Sequence, residues 1–317
     1  MSNTTIADTA SLPRLGTTDH SSLQKILTSQ PRATLVMPCF NERDGIGSTL
    51  DQLSEQLTGL ESYELIVVDD GSTDGTAQAL QEAVRRHPEV RVITHKANRG
   101  YGAALKTGIR KARSDLIVIT DADGTYPNER IPELVAAVEH ADMVVGSRTA
   151  ADVTYPLIRK IPKVFLKAYA SWIARQDIPD INSGLRVFRR DVVNRFLNIL
   201  PDGFSFTTTI TLAMLTNSYV VRYVPIGYSP RIGRSKIKPI RDTLRFFQLI
   251  LRTGMYFAPL RVYGPVLVMM FVAFIGSLGF DIFVRHDLTE ATLLLMVLFL
   301  NSTMFALLAD MIDKRSS

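Results

Sequence analysis

Apolar residues along the chain come in short runs, each ending in polar residues and followed by a stretch of helical spacing. Ala33-Thr-Leu-Val-Met37 predicts a first buried strand, broken by Pro38 and followed by the loop Phe40-Asn-Glu-Arg43. Leu50, Leu53 and Leu57 then recur on one helical face. The unit repeats: Tyr63-Glu-Leu-Ile-Val-Val68 ends in Asp69-Asp70-Gly-Ser-Thr-Asp-Gly75, and Ala77, Leu80 and Val84 line a helix that stops at His87-Pro88. A third strand over Val90-Arg-Val-Ile-Thr94 leads through Asn98-Arg-Gly-Tyr-Gly102 into another helix. A fourth, Leu116-Ile-Val-Ile119, runs into Asp121 and Asp123, and a further short strand covers Met143-Val-Val145. Three strand-to-helix units before the fourth strand predict the α/β class, with an open, mostly parallel sheet.

Toward the C-terminus the pattern changes. Val262 to Phe280 and Ala291 to Ala309 are uncharged apolar runs, each just long enough to cross a hydrocarbon core, and they predict a transmembrane hairpin. Gly276, Ser277, Asn301, Ser302 and Thr303 within them suit helix packing or contacts in a homo-oligomer. Ahead of the hairpin, Ile240 to Phe257 alternates Leu244, Phe247, Ile250 and Leu251 with Arg241, Arg245 and Arg252, as an interfacial helix would. Leu157 to Arg175 mixes lysines and arginines with Trp172 and Tyr169, which fits a second helix on an anionic membrane surface or an ordinary surface helix. Residues 1–30, rich in Ser and Thr and without a signal-peptide pattern, read as a tail. The expected division is therefore a tail over 1–30, a sheet domain over 31–237, an interfacial helix over 238–260 and a hairpin with a short tail over 261–317.

Composition adds limits. A mean hydropathy of +0.11 in 317 residues agrees with a membrane-embedded part. The net charge of +5 favours an anionic partner. Because the basic residues gather toward the membrane half instead of interleaving with stacking aromatics, a lipid bilayer fits better than nucleic acid. Lysines and arginines before Arg261, with Lys314 and Arg315 after the second span, predict that both termini and the sheet domain lie on the cytoplasmic side. One cysteine, Cys39, excludes an intrachain disulfide.

The candidate chemistry lies where an open parallel sheet puts it, outside the carboxyl ends of its strands. Phe40 to Glu42, Asp69 with Asp70, Asn98 to Gly102 and Asp121 with Asp123 share that edge. In extended chain Asp121 and Asp123 project to one side, and such a pair suits an Mg²⁺ or Mn²⁺ carried by a diphosphate; a helix cap or solvated turn is the plainer reading. Asp70 to Asp74 likewise suits a turn with a cap as well as a ligand site. Gly100 and Gly102 suit backbone approach to phosphate or a tight turn. Farther on, the Arg186 guanidinium fork suits phosphate or a structural ion pair. Arg231, Arg234 and Lys236 lie on a glycine-punctuated loop suited to closing over an anion or simply to membrane charge.

Pro38-x-Phe-Asn-Glu42, Val68-Asp-Asp-Gly-Ser-Thr-Asp-Gly-Thr76, Asn98-x-Gly-x-Gly102 and Asp121-Ala-Asp123 together resemble the GT-A domain of inverting family 2 glycosyltransferases. Through Val145-Gly-Ser-Arg148, Ser183-Gly-Leu-Arg-Val-Phe188, Arg231-x-Gly-x-Ser-Lys236 and the hairpin, the likeness extends to dolichyl- and polyprenyl-phosphate sugar synthases, the branch with dolichol-phosphate mannosyltransferase. The resemblance implies transfer of a sugar from a GDP- or UDP-linked donor to a polyprenyl or dolichyl phosphate. It implies donor contacts from Pro38, Phe40, Glu42, Asp69, Asp70, Asn98, Gly100, Asp121 and Lys236, and metal binding by Asp121 and Asp123. Acceptor-phosphate contacts fall to Arg148, Ser183, Arg186 and Arg234, and Asp123, Asp180 and Arg186 are the catalytic candidates, with Asp180 a base or positioning group. Where the mannosyltransferases carry Leu-Gln after the acidic pair this chain has Gly124-Thr125, so a ligand from that Gln passes to Thr125 or water. Thr207-Thr208-Thr209 stands where many relatives have a Glu, whose role does not transfer. The alternative is a membrane enzyme acting on a glycan or glycolipid hydroxyl; a non-enzymatic adaptor is disfavoured by the intact Asp121, Asp123, Arg186 and Lys236.

Overall fold

A computed structural model of the chain describes residues 32–57, 60, 62–149, 167–203, 205–229, 248 and 251–316. Seven strands, β1 (Ala33–Cys39), β2 (Tyr63–Asp69), β3 (Val90–Thr94), β4 (Leu116–Ile119), β5 (Met143–Ser147), β6 (Arg186–Arg189) and β7 (Val221–Pro225), form one sheet in the order β3-β2-β1-β4-β6-β5-β7. Every pairing is parallel except those of β6, which lies antiparallel between β4 and β5. From β1 the chain winds outward through β2 to β3, then returns to place β4 on the other flank. The switch point of the topology therefore lies between β1 and β4, where open α/β sheets hold their ligands.

Helices cover both faces. On one face α1 (Ile46–Gln56), α2 (Thr76–Arg86) and α4 (Ile131–Ala137) bury Leu50, Leu53, Leu80 and Leu134 against Leu35, Met37 and Val67. On the other face α3 (Tyr101–Lys111), a helix over 167–174 (α5), α6 (Arg190–Phe196) and α7 (Phe206–Thr216) pack on Val36, Ile117, Ile119 and Phe188. Strand alternation sends Leu35 and Met37 to one layer and Val36 to the other, which is why the central strands read as unbroken apolar runs.

Pro38 does not end β1 as its ring suggested. Val36 O accepts from Thr120 N and Cys39 O from Asp70 N, so alternation turns Pro38's missing N–H toward β4, beyond the last pair there, Val36 with Ile119. The strand continues to Cys39 on its β2 side alone, and a ladder that needs no donor at 38 tolerates the proline.

A short helix over 251–257 (α8) leads into α9 (Pro259–Phe280), a single π-helical stretch Asp281–Arg285, and α10 (Glu290–Ser316). The apolar segments Pro259–Arg285 and Glu290–Ile312 are long and apolar enough to cross a membrane and contain both expected spans. Their side chains face outward: Val272, Met304 and Phe283 are 63%, 65% and 81% exposed. The hairpin is rooted in the sheet domain, where Arg261 donates to Ile173 O of α5 and a Cβ on Gly254 would stand 2.6 Å from Ile173 Cδ1. Of the expected interfacial helices, residues 151–166 and most of 238–250 lie outside the described residues, and α5 and α8 are the parts seen.

Candidate active site

The loops after β1 and β2 are sewn together. Asn41 N donates to Ser72 Oγ at 2.9 Å, Thr73 N to Asn41 Oδ1 at 2.8 Å, and Glu42 N to Thr76 Oγ1 at 3.0 Å. This leaves Phe40 and Glu42 half-buried beside the switch point, with Asp69 below them accepting from Ser72 N and Ser72 Oγ at 3.0 and 2.6 Å. Cys39 is buried next to Asp69, and desolvation, with the Asp69 charge, pushes its thiol pKa well up, so it stays a neutral packing group.

Asp70 differs from the expectation of a donor contact. It is 3% exposed, and its carboxylate takes Arg99 N at 2.9 Å, Gly100 N at 2.7 Å and His95 Nδ1 at 2.7 Å, while His95 Nε2 reaches Thr107 Oγ1 at 2.9 Å. A side-chain carboxylate thus sits at the start of α3, where a ligand phosphate was one reading. The two glycines answer to a protein neighbour as well. A Cβ on Gly100 would stand 2.4 Å from Asp202 O and one on Gly102 2.1 Å from Pro201 O, and Gly100 has φ +105°. Ala103 N donates to Asp202 O at 3.0 Å, and Lys106 pairs with Asp202 at 2.8 Å. Gly100 therefore serves close packing of α3 on the 201–203 segment, and Asn98 stays exposed at the rim.

The acidic pair leaves the strand before it is reached: β4 ends at Ile119, and Ala122-Asp123 forms a turn. The two carboxylates are thus set by separate contacts and not by strand alternation. Tyr101 Oη donates to Asp121 Oδ1 at 3.0 Å. Asp123 Oδ1 accepts from Thr125 N at 3.2 Å and Thr125 Oγ1 at 2.7 Å, a closure that Gly124 allows with φ +66°. Thr125, 1% exposed, orients Asp123. Thr49 Oγ1, donating to Ala122 O at 3.1 Å, pins the turn to α1.

Opposite stands the loop before β6. A Cβ on Gly184 would be 2.8 Å from Asp121 Oδ2, so the backbone there lies directly on the carboxylate. Gly184 N donates to Tyr126 Oη at 2.6 Å, and Ser183 Oγ donates to Gly146 O at 2.5 Å. Burial, reinforced by the Asp121 charge, holds the Tyr126 and Tyr101 phenols well above their usual pKa, so both keep their protons. Asp180 is gripped by Arg148 through Nε and Nη2 at 2.7 and 2.9 Å. Arg148 also lies 5.2 Å over the ring of Tyr228, itself edge-on to Tyr126.

Two acceptor-phosphate expectations meet a different environment. Arg186 is fully buried in β6, with Nε on Ser183 O at 2.7 Å, Nη2 on Ile181 O at 2.8 Å and Nη1 on Thr211 Oγ1 at 2.6 Å. Its fork shapes the 181–183 loop from below instead of meeting a ligand from above. Ser183 is likewise fully buried and spent on Gly146 O. Arg231, Arg234 and Lys236 lie outside the described residues. The structure brings Phe40, Glu42, Asp69, Asp121, Asp123, Arg148 and Asp180 to one sheet edge and shows Asp70, Gly100, Ser183 and Arg186 supporting it. Tyr101, Tyr126 and His95 were missed. Tyr101 stands inside Asn98-Arg-Gly-Tyr-Gly102 and Tyr126 three residues past Asp123, but His95, just past β3, carried no signal.

The acidic pair fits a hard divalent cation in its chemistry: its donors are carboxylate oxygens, two residues apart at the ligand-binding edge of the sheet.

The model of "Glycosyl transferase family 2" matches residues 34–197. Dolichol-phosphate mannosyltransferase of Pyrococcus furiosus is 30% identical over 217 residues, covering 65% of this chain and 59% of that protein. Undecaprenyl-phosphate 4-deoxy-4-formamido-L-arabinose transferase of Pseudomonas fluorescens is 30% identical over 246 residues, covering 74% and 67%. The chain spans little more than half the length of several such curated relatives. Among solved structures, glucosyl-3-phosphoglycerate synthase of Mycobacterium tuberculosis in complex with UDP superposes with a TM-score of 0.55 at 19% identity, over 74% of this chain and 83% of that one, a likeness of fold. With its family match covering β1 to the end of α6, on a GT-A-like sheet carrying the acidic edge, this chain belongs to glycosyl transferase family 2.

Proposed function

We propose that the protein is a membrane-anchored inverting glycosyltransferase that moves a sugar from a GDP- or UDP-linked donor to a polyprenyl or dolichyl phosphate. The observation that carries this reading is the seating of Asp121 at the β1/β4 switch point, against the Gly184 backbone, in a chain whose last two helices expose apolar side chains along their length. A nucleotide-sugar site next to a lipid-facing hairpin calls for a lipid acceptor. The names of the relatives support a polyprenyl phosphate.

Phe40, Glu42 and Asp69 line the nucleoside end of the cleft, and Asp121 with Asp123 would hold Mg²⁺ or Mn²⁺ at the diphosphate end. Bound there, the ion offsets negative charge on the departing nucleotide diphosphate. A phosphate-ester acceptor is already anionic near neutral pH, so its oxygen attacks the anomeric carbon without a strong base. Asp180 matches that economy. Burial opposes its ionisation, but the hydrogen bonds and charge of Arg148, with the N–H groups of Arg148 and Asn182, bring its pKa down to about 2, too low for a base. Its part is to hold Arg148 toward the reacting phosphate, joined by Arg234 and Lys236 on the sequence evidence. Arg186 shapes the loop that carries Ser183 and Gly184. The catalytic domain takes residues 31–237 and the anchor 261–317, with both termini cytoplasmic.

The test is transfer of radiolabelled sugar by detergent-purified full-length protein to polyprenyl phosphate in the presence of Mn²⁺ or Mg²⁺, across a panel of UDP- and GDP-sugars. A lipid-linked sugar phosphate, lost on Asp121→Asn, is expected. Transfer to a glycan or glycolipid hydroxyl with none to lipid phosphate would overturn the acceptor assignment.

A further inference from the structure

We infer that Tyr101 is a positioning residue for the metal-binding carboxylate: its hydroxyl, donated to Asp121 Oδ1, fixes the rotation of that carboxylate before an ion binds. The inference rests on the proposed metal role of Asp121. A carboxylate turns easily about its last torsion, whose profile is broad. In this cleft both oxygens are constrained. Oδ1 takes the Tyr101 hydroxyl at 3.0 Å, and the Gly184 backbone walls the carboxylate from the other side, where a Cβ would stand 2.8 Å from Oδ2 and 3.1 Å from Oδ1.

The donor is itself rigid. Tyr101 is the first residue of α3, and the two residues before it give their N–H groups to the buried Asp70 carboxylate, at 2.9 and 2.7 Å. Two residues later Ala103 N is held by Asp202 O, and the flanking glycines are packed on residues 201–203. The ring packs on the core below the cleft. The backbone opposing it is also tied, Gly184 N reaching Tyr126 Oη at 2.6 Å. Outer partners of metal ligands set ligand orientation in this way, and the ordering would be in place before the ion arrives.

The experiment titrates Mn²⁺ into detergent-purified full-length wild type, Tyr101→Phe and Asp121→Asn with UDP and, in parallel, GDP present, following free Mn²⁺ by its paramagnetic resonance signal. The Mn²⁺ concentration for half-maximal transfer and the kcat at saturating Mn²⁺ are measured beside it. Tyr101→Phe keeps the ring, so its Tm should stay close to that of wild type. Expected is Mn²⁺ binding weakened about 10-fold or more, with the half-activating concentration rising in parallel and kcat falling less. If Asp121→Asn abolishes binding while Tyr101→Phe stays within about 2-fold of wild type, well short of the usual outer-partner effect, Tyr101 only packs and the inference falls. Binding that survives Asp121→Asn, or its absence in wild type, would instead overturn the metal assignment beneath it.

Discussion

Arg148 closes both arms of its guanidinium on Asp180, Nε to Oδ2 at 2.7 Å and Nη2 to Oδ1 at 2.9 Å, and its own backbone N–H reaches Oδ2 at 3.1 Å. Both side chains are largely buried, 15% and 6% exposed, so loss of Asp180 strips a largely buried guanidinium of its two-armed acceptor. Asp180→Ala should cost about 3 kcal/mol by the usual penalty for breaking a buried pair. The acid behaviour has a fixed sign. With its folded pKa at about 2, below the ordinary Asp range, the group adds stability that is fully present above about pH 4 and is lost as pH falls toward 2. Melting temperatures of wild type and variant should therefore converge over that window. Between pH 5 and 9 the activity profile should show no limb from Asp180.

Gly184 is the second lever on the acidic pair. Its substitution by Ala would set a Cβ 2.8 Å from Asp121 Oδ2, so either the carboxylate or the loop must move. Gly184 has no left-handed φ to be strained, so the damage should centre on Asp121. We expect Gly184→Ala to raise the half-activating metal concentration at least about 10-fold, as disturbed ligand orientation does, with a much smaller change in Tm. Metal titration of transfer activity beside a thermal melt separates the two effects.

The sheet was legible because its central strands are buried on both faces and announce themselves as apolar runs; the polar residues at their carboxyl ends marked the site edge for the same reason. What the sequence did not show was which polar residues face the cleft and which face the protein. Arg186 reads as a phosphate fork until the carbonyls of Ile181 and Ser183 and the hydroxyl of Thr211 are seen to consume it. The reason for Gly100 and Gly102 lies in residues 201–203, far along the chain. Asp121 and Asp123 were assigned to extended backbone, whereas their turn depends on Thr125, Gly124 and Thr49. Long-range partners decided each case, and spacing along one motif does not encode them.

Gly102 gives a direct test of that packing. An Ala there would bring Cβ to 2.1 Å from Pro201 O and 3.0 Å from Gly203 O, both backbone atoms that cannot swing aside. Overpacking of this kind costs about 1–3 kcal/mol. Gly102→Ala should lower Tm by several degrees, whereas a glycine serving only phosphate approach would leave Tm unchanged and raise the donor KM. The melt of the unliganded protein distinguishes the two.

The hairpin has its own polar lock. Asp281, 2% exposed at the end of α9, accepts at Oδ2 from Thr289 N at 2.8 Å, Thr289 Oγ1 at 2.6 Å and Thr292 Oγ1 at 2.7 Å, and Thr292 Oγ1 also meets Ser277 Oγ at 2.5 Å. One carboxylate thus ties Thr289, the residue before α10, and Thr292 of its first turn to the preceding helix, while the Thr289 hydroxyl takes Thr292 N at 3.4 Å in the N-cap position. Without it, Thr289 N and two threonine hydroxyls lose that acceptor at a tip where Phe283 and Val284 stand exposed and pack on little. Asp281→Ala should loosen the start of α10, and a loss of about 1.5–3 kcal/mol is expected from removing a charged hydrogen-bond acceptor. Cysteines placed at 277 and 292, whose hydroxyls touch in the native hairpin, report on it. Disulfide formation between them in detergent should be fast on an otherwise native background and at least several-fold slower with Asp281→Ala. An unchanged rate would show that apolar packing between α9 and α10 holds the tip without the carboxylate.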